Sequence, residues 1–354
     1  MTTQMDPRAL DDFIGKVLGD LAGSYGGVMV SLGEKLGLYK AMRGAGPLTP
    51  GELAKRAGCA ERYVREWLAS QAAAGYVRYH PSSATYELTP EQAAVLADET
   101  SPAYFPPAWQ VVASMWHDEE KTLHAIREGT GVRWGEHDDR LFCGVAAFYR
   151  NGYRANLVSS WLPALDGVVA RLEAGARVAD VGCGHGHSTV LMAEAFPRST
   201  FLGVDSHEGS LRTAREHAAA AGVEGRVTFE TAEADAYRKG EFDLVCFFDC
   251  LHDMGHPDAA ARHARGALAE GGTVMLVEPY AEDRVEDNLH TVGRLYYSAS
   301  TTLCCAHAIA ESGPYVLGAQ AGSARLERIF REAGFGTFRV AARTPFNLIL
   351  EARP

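Results

Sequence analysis

Long apolar runs are missing from this 354-residue chain, and none approaches the roughly 20 residues that cross a bilayer. The opening stretch MTTQMDPRALDDFIGK has no apolar core of signal-peptide length. Basic charge is scarce: 34 Lys and Arg face 45 Asp and Glu, a net charge of −11. A protein held to nucleic acid by phosphate contacts would want a basic face, so this balance argues against that class. Seven cysteines, an odd number at irregular spacings, make no disulfide framework. A cytoplasmic, reduced protein is the expectation. No internal repeat or low-complexity tract stands out, and 47% hydrophobic with 22% charged residues excludes disorder. The length suggests two domains.

What is present divides near residue 100. SLGEKLGLYKAM reads as an amphipathic helix broken by RGAGP. LTPGELAKRAG predicts a helix capped by Thr49, with Pro50 in its first turn and Glu52 three residues after the cap. AERYVREWLASQAAAGY predicts a third helix ending near Gly75, and YVRYHPSSATYELT two short strands around a Pro-Ser-Ser turn. Three helices and a hairpin are the order of a winged helix. Residues 44–98 hold five Lys and Arg against six acids, and the would-be recognition helix sets Glu61 and Glu66 beside Arg62 and Arg65. That surface suits dimerisation or covering a substrate better than phosphate binding. Residues 101–165 are rich in aromatics and read as a helical linker contributing to packing and to a pocket.

Residues 166–354 change pattern. ARVADVG, TFLGVD, RVTFETA, FDLVCFFD and GGTVMLVEP are apolar runs separated by helix-length segments, the signature of a doubly wound, mostly parallel sheet. In the tail FGTFRVAARTPFNLILEARP two strand-like runs have only a turn between them, predicting an antiparallel last strand. VADVGCGHGHST is the strongest chemical signal. A strand ends at Val181, and Gly182, Gly184 and Gly186 alternate before a helix. Glycines let the backbone turn tightly and approach a ligand, at the strand ends where such sheets bind. The spacing G-x-G-x-G departs from the dinucleotide fingerprint. Asp180, two positions before the first glycine, is awkward for a pyrophosphate and suits a cationic ligand. Asp205 ends the next strand, placed to take both hydroxyls of a ribose.

DVGCGHG, GVD, FDLVCFFD and GGTVMLVEP together resemble the ordered motifs of class I S-adenosylmethionine-dependent methyltransferases. With its front end, the chain is similar to dimeric small-molecule methyltransferases and to bacterial homologues labelled transcriptional regulators. The resemblance implies a seven-stranded Rossmann-like sheet with an antiparallel last strand, behind a mainly α winged-helix domain. It implies S-adenosylmethionine as cofactor, a homodimer formed through residues 1–100, and a small-molecule substrate methylated at oxygen. The glycine loop would meet the methionine part with Asp180 near its amino group, Asp205 would hold the ribose, and Glu233 with Asp235 would meet the adenine. Asp249 and Cys250 would lie along the cofactor. CLHDM resembles the segment whose histidine is the general base in plant-type O-methyltransferases, so His252 would take the hydroxyl proton, steadied by Glu278. Where those enzymes carry a second carboxylate this chain has Gln320, and Gly152 and Asn156 replace two of their cofactor contacts. Tyr153, Tyr296, Tyr297 and Cys304 are substrate-pocket candidates. The histidines at 185, 187, 252 and 256 lack metal-site spacing, so no metal is expected. Two other readings stay open: a regulator binding cofactor and DNA without turnover, and an enzyme that keeps the cofactor for different chemistry.

Overall fold

The computed structural model describes residues 5–354. Its contacts divide the chain into two units, Met1–Ala113 with Cys143–Asn151, and Ser114–Phe142 with Gly152–Pro354. The 101–165 segment expected as one linker is thus shared between them.

The first unit opens on α1 (Pro7–Lys35), whose Asp6 side chain caps the Arg8 amide ahead of Pro7 in the first turn. Two glycines of α1 are there for close approach: a Cβ on Gly27 would stand 2.5 Å from the Trp109 ring, and one on Gly33 2.5 Å from Trp67. The helix expected across residues 31–42 is instead the end of α1 and a separate short helix, α2 (Leu38–Met42). Gly37, at φ +68°, breaks them. Then come α3 (Pro50–Ala57) with its Thr49–Glu52 capping box, α4 (Glu61–Ala73), the antiparallel pair β1 (Arg78–His80) and β2 (Thr85–Glu87), and α5 (Pro90–Leu96). Val30, Leu38, Tyr39, Met42, Leu53, Val64, Trp67 and Leu68 form the core of this winged helix. On α4, Arg62 pairs with Glu66 and Arg65 with Glu61, each at 2.6 Å. α6 (Ala108–His117), α7 (Glu119–Glu128) and α8 (Arg140–Asn156) follow.

The second unit is built on a seven-stranded sheet. After α9 (Val168–Ala174), β3 (Arg177–Val181), α10 (His187–Ala195), β4 (Thr200–Asp205), α11 (Glu208–Ala220), β5 (Val227–Thr231), β6 (Phe242–Phe248), α12 (Pro257–Ala267) and β7 (Leu268–Pro279) alternate strand with helix. α13 (Thr291–Ala299), α14 (Cys305–Ala310) and α15 (Ser323–Glu332) precede the hairpin β8 (Thr337–Arg343) and β9 (Asn347–Arg353). Strand order is β5-β4-β3-β6-β7-β9-β8. The first five run parallel and β9 is antiparallel to both β7 and β8. The last strand of the chain therefore lies inside the sheet, and β8 takes the edge. Strands buried on both faces read as continuous apolar runs, as residues 244–248 and 274–277 do. Winding reverses between β3 and β6, which opens a crevice at their carboxyl ends.

Phe247 is fully buried at the centre of this core. Phe247→Ala should lower stability by about 3–5 kcal/mol, read as a shift of the chemical-unfolding midpoint of the second unit.

Candidate active site

The carboxyl ends of five strands, β3, β4, β5, β6 and β7, carry most of the candidate residues. After β3, Gly182, Gly184 and Gly186 all hold positive φ, between +52° and +75°. The amides of Gly182 and Cys183 both donate to the Val204 carbonyl, pinning the loop to β4. A Cβ on Gly182 would meet the Cys250 sulfur at 2.6 Å, whereas one on Gly184 would meet nothing within 4 Å. Gly182 is thus glycine for packing, and Gly184 leaves bare backbone facing open space.

Asp180 is fully buried beneath this loop. Its Oδ2 accepts from the hydroxyls of Ser188 and Thr189, both at 2.6 Å, and its Oδ1 is buried without a partner. Burial pushes the carboxyl up to about 6 against the pull of those two donors. Asp205 accepts from the Gly184 amide at 2.8 Å and the His207 amide at 2.9 Å. Burial raises it too, offset by those amides. The His207 ring stacks on Phe142 with centroids 4.8 Å apart. Glu233 and Asp235, both exposed, border a polar cavity of about 260 Å³ with Arg133, Met254, His256 and Glu311.

At the end of β6 the backbone is strained. Asp249 sits at φ +51°, held there by its amide donating to the Val277 carbonyl at 2.7 Å. Its carboxylate accepts from the Asn347 amide at 2.8 Å and the Tyr153 hydroxyl at 3.2 Å. Burial, then the charge of Glu278, pushes this carboxyl well above the usual range. Cys250 turns its thiol onto the Val181 carbonyl.

His252 follows in a short turn, Leu251–Asp253, and is buried. Its Nδ1 lies 2.6 Å from Glu278 Oε2, at the end of β7. Its Nε2 lies 3.1 Å from Asp253 Oδ1. That oxygen is buried with no well-aligned hydrogen-bond donor. Burial disfavours a charged ring, but Asp253 and Glu278 outweigh it and hold the imidazole well above its ordinary value. The Cys304 thiol closes the group, pushed up to about 12 by burial and then by Asp253, so it is a neutral donor.

The structure therefore brings His252 and Glu278 into contact, and places Asp249 beside Tyr153. It does not bring Gln320 to the ring: the Gln320 amide donates to the Tyr280 and Ala319 carbonyls. The backbone of that segment reaches His252, the Gly318 amide donating to the His252 carbonyl at 3.2 Å. Tyr296 spends its hydroxyl on the Phe346 carbonyl, and Tyr297 is half-buried beside it. Sequence reasoning missed Asn347, the hydroxyls of Ser188 and Thr189, and the Asp253 contact. The hydroxyls stand in the first turn of α10, right after the glycine loop, and were findable there. Asn347 carries no local signal.

The cofactor implied by the resemblance carries a sulfonium, an ammonium and a ribose diol, all cationic or hydroxylic. The crevice matches that chemistry, since Asp180, Asp205 and Asp249 are buried acceptors with no lysine or arginine partner among the described residues. The orphaned Asp180 Oδ1 and the open backbone at Gly184 are the clearest local fits.

Comparison with known proteins agrees. Residues 172–334 match the methyltransferase domain family, and residues 24–98 match the Rv2258c-like winged HTH domain family. The 27-O-demethylrifamycin SV methyltransferase of Amycolatopsis mediterranei (strain S699) is 35% identical over 107 residues, 30% of this chain and 39% of that one. The chain spans between 26% and 42% of the length of the curated relatives it matches. The structure of the mitomycin 7-O-methyltransferase MmcR superposes with a TM-score of 0.72 at 16% identity, covering 99% of this chain and all of that one. Human N-acetylserotonin methyltransferase in complex with SAM gives 0.70 at 17% identity, covering 100% and 99%.

Asp180 yields a pH prediction. Its folded pKa is raised, so the folded state holds a proton that the unfolded chain has lost, and stability falls as pH climbs from about 4 through 6. The loss is about 3 kcal/mol for a shift of this size. Asp180→Asn keeps an acceptor for both hydroxyls and should abolish that loss, measured as unfolding free energy at pH 4 and pH 7.5.

Proposed function

We propose that this chain, similar in domain and fold to the class I S-adenosylmethionine-dependent methyltransferases, transfers the cofactor's methyl group to the hydroxyl oxygen of a small molecule. The observation that carries the reading is the His252–Glu278 pair at 2.6 Å, at the same edge of the sheet as Asp180 on β3 and Asp205 on β4. When bound, S-adenosylmethionine supplies an electrophilic methyl on a cationic sulfur. The residues of this chain do the rest.

Asp205, its oxygens fixed by two backbone amides, is positioned to accept from both ribose hydroxyls. Asp180 Oδ1 offers a buried charge to the ammonium. Glu233 and Asp235 border a cavity that we propose takes the adenine edge. Asp249 and Cys250 line the path between, and Tyr153 and Asn347 steady Asp249. Glu278 accepts the Nδ1 proton of His252, which fixes the tautomer with Nε2 as the proton acceptor. Because Asp253 and Glu278 favour the charged ring, Nε2 must first lose its own proton; it would then take the hydroxyl proton as the oxygen attacks, and the two carboxylates would stabilise the imidazolium that forms. Gln320 contributes by holding its segment to Tyr280, which makes it a positioning residue rather than a catalytic one. Tyr153, Tyr296, Tyr297 and Cys304 are proposed to shape the substrate side.

The winged-helix unit is proposed to dimerise the chain rather than bind DNA, since the arginines of α4 are each paired with an acid of the same helix. α1 leaves Ile14, Leu18, Leu21, Tyr25, Val28 and Leu32 exposed, at alternating spacings of four and three residues. That is a heptad stripe, the pattern that packs helix on helix, and a second copy of α1 is the occupant it fits.

Methyl-labelled S-adenosylmethionine incubated with the chain and a host metabolite extract should place label in a small molecule. His252→Ala should cut that transfer at least 100-fold while calorimetry still records cofactor binding. Transfer that survives the substitution would discard the base. Leu18→Asp combined with Leu21→Asp should halve the particle mass by light scattering; a wild-type chain already monomeric would refute the dimer.

A further inference from the structure

We propose that His252 Nε2, Asp253 and Cys304 form a binding site for a thiophilic divalent cation, zinc being the probe of choice. One ligand atom from each residue lies within 4.8 Å of the others. The donors come from two elements, the turn after β6 and the residue that opens α14, so no motif in the sequence announces them. A tetrahedral zinc with bonds of about 2.0–2.1 Å spaces a nitrogen and an oxygen ligand about 3.3 Å apart. Here Nε2 and Oδ1 stand 3.1 Å apart.

Three further features favour an ion over a plain hydrogen-bonded cluster. Asp253 Oδ1 is buried and near Nε2, yet not aligned to accept from it. Proximity without alignment is what two ligands of one ion show. Nδ1 is already committed to Glu278, which reproduces the carboxylate–histidine–metal relay that orients ligating imidazoles and leaves Nε2 as the free donor. The group also gathers two carboxylates around one imidazole, an excess of negative charge that a cation balances. Nitrogen, oxygen and sulfur donors together select zinc over magnesium or calcium, which take oxygen alone. Three protein ligands leave a fourth position open.

Binding involves no redox step. The cation forms bonds to the Nε2 lone pair, an Asp253 oxygen and the Cys304 sulfur, and the thiol proton, with any proton on Nε2, passes to solvent. The functional consequence rests on His252 being the base: an ion on Nε2 removes the lone pair that would take the hydroxyl proton. Zinc then inhibits methyl transfer and a chelator restores it.

The test needs no turnover. Cobalt(II) is titrated into the full-length chain after chelator treatment, and absorption is followed in the near-ultraviolet and visible. A saturable sulfur-to-cobalt band at one ion per chain, displaced by zinc, is the expected result. Cys304→Ser should lose the near-ultraviolet band, and Asp253→Asn should weaken binding at least tenfold, with circular dichroism checking that both variants fold. No saturable band, or a band unchanged in Cys304→Ser, would overturn the site. Calorimetry with S-adenosylmethionine on the same metal-free sample separates this outcome from failure of the methyltransferase reading, because a chain that binds cofactor but no cobalt loses only the metal site.

Discussion

The contact between Glu278 and His252 governs the rest of the site. A carboxylate and an imidazole at 2.6 Å, both buried, are costly to remove from water and stay there only if each satisfies the other. Meeting that condition fixes the end of β7 against the turn after β6. It fixes Nε2 as the ring nitrogen turned away from Glu278. The strained backbone at Asp249 belongs to the same constraint. A left-handed residue lets the chain leave β6 and turn back within three positions to bring His252 to Glu278. The strain is offset by the Asn347 and Tyr153 bonds and by the Val277 carbonyl.

Around this pair the sheet ends form a crescent of acceptors. Asp180, Asp205 and Asp249 lie at the ends of three strands, each desolvated and each raised above its ordinary pKa by burial. In the absence of a cationic ligand such a crescent costs stability, and buried groups shifted in this way cluster at functional sites. The glycine loop contributes bare backbone, and Ser188 and Thr189 keep one face of Asp180 occupied while the other points free.

Much of this was legible in the sequence because it is local. Apolar runs separated by helix lengths gave the parallel sheet, two runs with a bare turn gave the final hairpin, and alternating glycines after a strand gave the loop. The position of Glu278 relative to His252 followed from the resemblance rather than from any periodicity. Three features were not legible. The apolar period of residues 31–42 runs through Gly37 without interruption, so only the glycine itself marked the break between two helices. Gln320 stands where related enzymes carry a second carboxylate, but its amide turns to the Tyr280 carbonyl instead of the imidazole. Asn347 and Tyr153 reach Asp249 across 98 and 96 positions, and no short-range pattern encodes a meeting at that distance.

The acceptor crescent and glycine loop are proposed to take a cationic, ribose-bearing cofactor rather than a dinucleotide. Isothermal titration calorimetry of the full-length chain with S-adenosylmethionine and, separately, with NAD tests it most directly. The account predicts saturable binding of S-adenosylmethionine at one per chain, weakened at least tenfold by Asp205→Ala, and no heat of binding with NAD. Binding of NAD, or no binding of S-adenosylmethionine by the folded chain, would contradict it.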